Sequence, residues 1–174
     1  MINDYDQIIK EITGKLWPGL DWLIIKCQIN QESSLNPNAV SPCGARGLLQ
    51  LMYATASDLR VKQPLQPKQL FDPELNLLLG ITYLKIQFDH FKEIPDYRER
   101  LKFSLASYNG GRGYINKALS IAKKERTFWM FWEPASKYLA HEDCKVSGRR
   151  PDHKQITDYV QKIWDNYTIE KEKA

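Results

Sequence analysis

A chain of 174 residues, 43% hydrophobic and 26% charged, is long enough to bury a core without metals or cross-links, and its globular composition excludes extended disorder. Its formal charge of +4 and pI near 8.9 arise from 25 basic residues scattered among 21 acidic ones, without the long basic block expected of a nucleic-acid-binding surface. It has no apolar run of about 18 residues, so no spanning helix and no stable membrane insertion are expected.

Ile2, Tyr5, Ile8, Ile9 and Ile12 recur at helical spacing until Gly14, predicting a first amphipathic helix that ends there. Asp21 is placed to cap a second helix through "WLIIKCQINQE", which is apolar on so many sides that it belongs at the centre of the core. The following "SSLNPNAVSPCGARG" is dense in turn formers and reads as a long loop. Beyond Gly47, "LLQLMYATASDLR" is expected to be helical until the prolines of "QPLQPKQ" interrupt it.

Asp72, Pro73 and Glu74 form a helix start, with a cap, a proline at the first helical position and an acid in the first turn. Leu77, Ile81, Leu84, Phe88 and Phe91 then make one apolar stripe. A helix from about Asp96 to Tyr108 ends at "NGGRG" and gives way to "YINKALSIAKK". The aromatic-rich "TFWMFWEPASKYLA" and the irregular "HEDCKVSGRRPDH" precede a closing helix in which Ile156, Tyr159, Val160, Ile163 and Tyr167 share a face. Strand patterns are nearly absent and nothing divides the chain, so a single, mainly α domain over residues 1–174 is expected, with 1–20 as an N-terminal helical extension.

Three cysteines, Cys27, Cys43 and Cys144, allow at most one bridge and fit no paired metal motif. His141, Asp143, Cys144 and His153 match no standard zinc spacing, so no metal is expected. Cys43 has no histidine in a recognisable partnership, which argues against a thiol nucleophile.

One carboxylate stands apart. Glu32 falls at the C-terminal end of the second predicted helix, and no other Asp or Glu occurs until Asp58. A carboxyl there faces partial desolvation and the negative pole of its helix, both of which disfavour ionisation. An elevated pKa is what a general acid needs to keep its proton near neutral pH.

The segments "QESSLNPNAVSPCGARGLLQLM", "SYNGG" and "QITDYV", in that order, resemble the three motif segments of the soluble lytic transglycosylases, whose fold the goose-type lysozymes largely share. The resemblance runs from about Trp22 to Tyr167. It implies a lysozyme-like helical domain with a substrate cleft and no cofactor, cutting the β-1,4 bond between N-acetylmuramic acid and N-acetylglucosamine in peptidoglycan glycan strands. Glu32 matches the single catalytic acid. It would protonate the glycosidic oxygen and then act as base towards the C6 hydroxyl of the muramoyl residue, which closes a 1,6-anhydro ring. Help from the acetamido group of the same sugar would replace the second carboxylate of ordinary glycosidases.

By the same resemblance Ser33, Ser41, Gln50, Met52, Tyr108, Asn109 and Tyr159 are expected to bind substrate: Ser33 follows the acid, Ser41 helps hold the acetamido group, and Gln50 and Met52 line the cleft. Tyr108 and Asn109 belong to the turn before the glycines, and Tyr159 is the late tyrosine that packs near the acid. Each also has a structural reading: a turn residue for Ser41, core for Met52, the apolar face of the last helix for Tyr159, a helix cap for Asn109. Leu49, Ser107 and Gln155 depart from the family's usual residues, and Gln155 stands where an acid is usual.

Two other readings share these residues. One is a goose-type muramidase in which water attacks; the other is a catalytically silent, peptidoglycan-binding component of a phage particle or secretion machine. The first residues lack the pattern of a secretory signal, whereas the implied substrate lies in the periplasm or on the extracellular side. A mature chain, phage delivery or holin release would reconcile the two, and the compact size favours a phage-type origin.

Overall fold

The computed structural model describes residues 5–59 and 64–173. Among them are eight α-helices: α1 (Asp6–Leu16), α2 (Trp22–Ser33), α3 (Tyr53–Leu59), α4 (Pro73–His90), α5 (Tyr97–Gly110), α6 (Arg112–Lys124), α7 (Trp132–Ser136) and α8 (His153–Glu172). Two 3-10 helices, Pro67–Phe71 and Lys137–Ala140, join them. The described residues form no strand, only isolated bridges such as Val40 with Arg46 and Arg46 with Leu51. The expected mainly α class is therefore observed.

The described residues group into two compact units, one up to Tyr83 together with those from Ile163 on, the other Leu84–Lys162. The division falls within α4 and α8.

In the first unit α2 is the central element, with Leu23, Ile24, Ile25, Cys27, Gln28 and Ile29 all buried. Its all-round apolarity, legible in the sequence, is what burial on several sides requires. The helix starts where expected: Asp21 Oδ1 accepts from the Leu23 amide at 3.1 Å. Asp21 Oδ2 also accepts from Tyr167 Oη at 3.1 Å and pairs with Lys171 Nζ at 2.7 Å, tying the end of α8 to the start of α2. Helix α1 lies on α2 through a Lys26–Asp6 ion pair at 3.0 Å and Lys10 over the Trp22 ring at 4.4 Å.

Helix α1 runs through Gly14 to Leu16, contrary to the expected stop. Gly14 is exposed, and the burial of Ile9 and Thr13 on the other face outweighs the roughly 1 kcal/mol that a mid-helix glycine costs. Ile2 of the predicted stripe lies outside the described residues.

Asp21 gives this unit a pH dependence. Burial pushes its pKa up, but hydrogen bonds from Lys171, the Leu23 amide and Tyr167 prevail and hold it below the usual carboxylate value. A depressed folded-state pKa contributes stability that is complete above the unfolded-state value and is lost as pH falls through the folded one. Asp21→Asn keeps a capping oxygen and discards the charge. Melting curves should show the variant less stable than wild type near neutrality, with the gap closing as pH falls from about 5 to 2; a constant gap would contradict this.

In the second unit α5 begins close to the expected position, with Asp96 as its cap: the Glu99 amide donates to Asp96 Oδ1 at 2.9 Å. Phe103 of α5 packs between Phe91 and Trp132, ring centroids 5.8 and 5.3 Å away. All three rings are buried, so these aromatics belong to the core. At the start of α8 the Gln155 amide donates to Asp152 Oδ1 at 3.0 Å, so this segment keeps an acidic cap although Gln155 itself departs from the family pattern.

Candidate active site

Glu32 is the second-last residue of α2 and is half-buried. The helix stops there because Ser34 and Leu35 both adopt the left-handed region, at φ 52° and 63°, with the Ser34 amide donating to Asn30 O at 3.0 Å. Two successive non-glycine residues in that region are costly, and such strain gathers at functional sites. It reverses the chain directly after the acid.

The reversed chain enters a loop closed by its own polar groups. The Asn38 amide donates to Asn36 Oδ1 at 2.9 Å. Ser41 and Ala45 exchange two bonds, Ser41 N to Ala45 O and Ala45 N to Ser41 Oγ, each at 3.0 Å. Arg46 and Leu51 likewise exchange backbone bonds at 3.0 Å. Leu48–Met52 is therefore not helical, contrary to expectation. The pairing of Arg46 with Leu51 and a bond from the Leu49 amide to Asn76 Oδ1 at 2.8 Å take up the backbone groups that a helix would use.

Asn76, in the apolar face of α4, is the residue that sequence reasoning missed. It is fully buried and donates from Nδ2 to Arg46 O and Leu70 O, both at 2.9 Å, while accepting from Leu49. Gly47 fits beneath it: its φ is 78°, and a Cβ there would collide with Leu70 O and the Asn76 amide. The available signal was a lone amide in the run "LNLLLG", where only a satisfied polar group is tolerated.

The predicted residues of the first unit occupy this loop and the end of α2. Ser33 Oγ donates back to Ile29 O at 3.2 Å, a local helical bond. Ser41 Oγ closes a turn as acceptor, which leaves its hydroxyl proton to donate. Gln50, strained at φ 45°, donates from Nε2 to Ala39 O at 3.1 Å and Gly47 O at 2.9 Å. Its amide hydrogens thus hold the loop, and its carbonyl oxygen is what it offers a ligand. Met52 is 43% exposed, so it is not core.

In the second unit Tyr108 and Asn109 lie in the last turn of α5, both half-buried. The helix ends at Gly111, φ 90°, from which α6 starts. Gly110 lets α8 approach closely, since a Cβ there would overlap the Ile156 side chain; the first turns of α8 therefore pack on the "YNGG" turn. The Asn109 Oδ1 atom is buried and has no hydrogen-bond partner among the described residues, which a mere cap would not leave. Tyr159 is only 4% exposed and lies three positions beyond Ile156 on the same helix.

Among the described residues no three His, Cys, Asp or Glu side chains form a metal-binding group. All three cysteines are free, and burial first, then the nearby Glu170 charge, pushes the Cys27 thiol up to about 11, which makes it a poor nucleophile. No helix of the described residues is long and apolar enough to cross a membrane.

Residues 12–131 match the family described as Transglycosylase SLT domain; the "QITDYV" segment lies beyond that span. The membrane-bound lytic murein transglycosylase F of Desulfosudis oleivorans is 33% identical over 162 residues, covering 89% of this chain and 34% of that protein. Its namesake in Yersinia pestis (strain Pestoides F) is 37% identical over 125 residues, covering 72% and 24%. The chain thus spans about a third or less of these relatives' length. Among solved structures, the 70-kDa soluble lytic transglycosylase of Escherichia coli superposes with a TM-score of 0.70 at 23% identity, over 94% of this chain and 23% of that one. The lytic transglycosylase Slt of Pseudomonas aeruginosa, as an inactive glutamate-to-glutamine mutant, gives 0.73 at 23% identity, over 98% and 24%. These likenesses show the lysozyme-like helical fold, and with the match over residues 12–131 they establish that the chain belongs to the SLT transglycosylase family.

Proposed function

We propose that this domain is a peptidoglycan lytic transglycosylase, acting on glycan strands of the bacterial wall from the periplasmic or extracellular side, with Glu32 as its single acid and base. The observation that carries the reading is the setting of Glu32: a half-buried carboxyl at the C-terminal end of an apolar helix, followed at once by a strained reversal into a loop fastened by Asn76. The names of the relatives support the substrate class.

Glu32 gives its proton to the glycosidic oxygen as the bond to C1 of the muramoyl residue breaks. The carboxylate that results takes the proton of the C6 hydroxyl as that oxygen bonds to C1. The 1,6-anhydro ring closes, no water is consumed, and Glu32 ends as it began, protonated. The acetamido group of the same sugar stabilises the cationic centre between the two steps, so no second carboxylate is called for.

In this reading Ser41 donates its hydroxyl proton to the sugar, Gln50 offers its carbonyl oxygen, and Met52 supplies apolar surface. Ser33 acts as a helix residue beside the acid. Asn109, with its unpartnered buried oxygen, accepts from a sugar hydroxyl or amide, and Tyr108 contacts a sugar face. Tyr159 acts by packing rather than by stacking on a sugar. Purified peptidoglycan incubated with the protein should release soluble muropeptides; binding without release would favour a silent wall-binding component instead.

A further inference from the structure

We propose that the second unit carries an additional glycan-binding site at the far end of α6; this rests on the reading that peptidoglycan is the substrate. A groove of about 440 Å³ there is lined by Glu93, Asn116, Leu119, Ser120, Lys123 and Lys124. Its lining on α6 runs from Asn116 to Lys124, about 8–20 Å along the helix from Gly111, and includes no residue of the "YNGG" turn.

The lining is mixed in chemistry. Asn116 Oδ1 meets His90 Nε2 at 3.1 Å, and Lys123 Nζ holds Glu93 at 2.9 and 2.8 Å while lying 4.1 Å from the Trp129 ring centroid. The Lys123–Glu93 pair is exposed on both sides, 38% and 49%, and such a pair contributes little and exchanges readily for a ligand.

Beside the groove the chain turns at Arg126, φ 55°. Thr127 pins the turn, its amide and hydroxyl both donating to Ala122 O at 3.1 Å. The pinned segment presents Phe128, Met130 and Phe131 to solvent, 77%, 37% and 49% exposed. Three large apolar side chains exposed within four residues is the composition of a binding surface.

A polar concavity with an acid, an amide, a hydroxyl and two ammonium groups fits sugar hydroxyls and acetamido groups, with aromatic rings beside it for sugar faces. The lysines suit the carboxylates of stem peptides. A lipid surface would need no carboxylate and no concavity. The site would hold the domain on its polymer between cuts.

The test uses two variants carried on Glu32→Gln, so that the wall is not consumed: Asn116→Ala with Lys123→Glu, and Phe128→Ser. All three side chains are exposed, and either variant suffices should the other not fold. Each should bind purified sacculi about tenfold more weakly in co-sedimentation, while the same substitutions with Glu32 intact keep turnover of short soluble glycan fragments within about twofold of wild type. Unchanged sacculus binding in both variants overturns the site. So does a loss confined to vesicles of phosphatidylglycerol and phosphatidylcholine, which would make the patch a lipid contact. A wild type that binds through the groove and releases nothing would refute the lytic reading and leave this site standing.

Discussion

Glu32→Gln is expected to lower turnover on peptidoglycan by about a thousandfold or more while leaving the melting temperature nearly unchanged. The glutamine keeps the shape and hydrogen-bonding reach of the side chain but cannot give up a proton, and in the proposed cycle both steps pass through that proton. A positioned acid or base contributes roughly a hundredfold to ten-thousandfold, and here one group serves twice. Stability should hold because the residue is half-buried near the end of α2, where a neutral amide meets no penalty from the helix dipole. Release of soluble muropeptides, followed beside a thermal melt, reads both quantities. A Glu32→Gln protein as active as wild type would remove the basis of the mechanism.

The largest effect on stability should come from Asn76→Ala. The side chain makes three buried or part-buried hydrogen bonds, to Leu49 N, Arg46 O and Leu70 O, and its removal orphans all three backbone groups. Unsatisfied buried polar groups cost roughly 1–3 kcal/mol each, so a loss of about 3 kcal/mol or more is expected, a fall of about 6–12 °C in melting temperature. Gly47→Ala should act on the same clamp from the other side, because its φ of 78° is strained for alanine and the methyl group would meet Leu70 O and Asn76. Denaturant unfolding is the measurement; an Asn76→Ala loss below about 1 kcal/mol would mean that the loop is held by something else. Both variants should also turn over more slowly, since the loop that follows Glu32 depends on the clamp.

What the sequence made legible follows from the range of the forces involved. Helices α2, α4, α5, α6 and α8 were readable because apolar periodicity and local caps such as Asp21 and Asp72 act within a few residues. The conformation of Leu48–Met52 was not, because its decisive partner, Asn76, lies 27 residues from Leu49. Gly14 misled for a similar reason: a tertiary face buried by Ile9 and Thr13 overrode a local breaker. Glu32 stood out as an isolated acid at a helix end, which is a local feature. The other motif residues divided. Ser41 and Gln50 spend part of their hydrogen bonding on the loop itself, which leaves no trace in a motif, whereas the burial of Tyr159 follows the apolar face of the last helix that the sequence already marked.

Digestion in water enriched in oxygen-18, with mass analysis of the muropeptides, tests the central claim most directly. Ring closure by the C6 hydroxyl predicts anhydromuramoyl ends lighter by one water and free of the heavy isotope, formed only when Glu32 is present. Reducing ends carrying one oxygen-18 atom would show that water attacks the anomeric carbon, and the non-hydrolytic mechanism would be wrong.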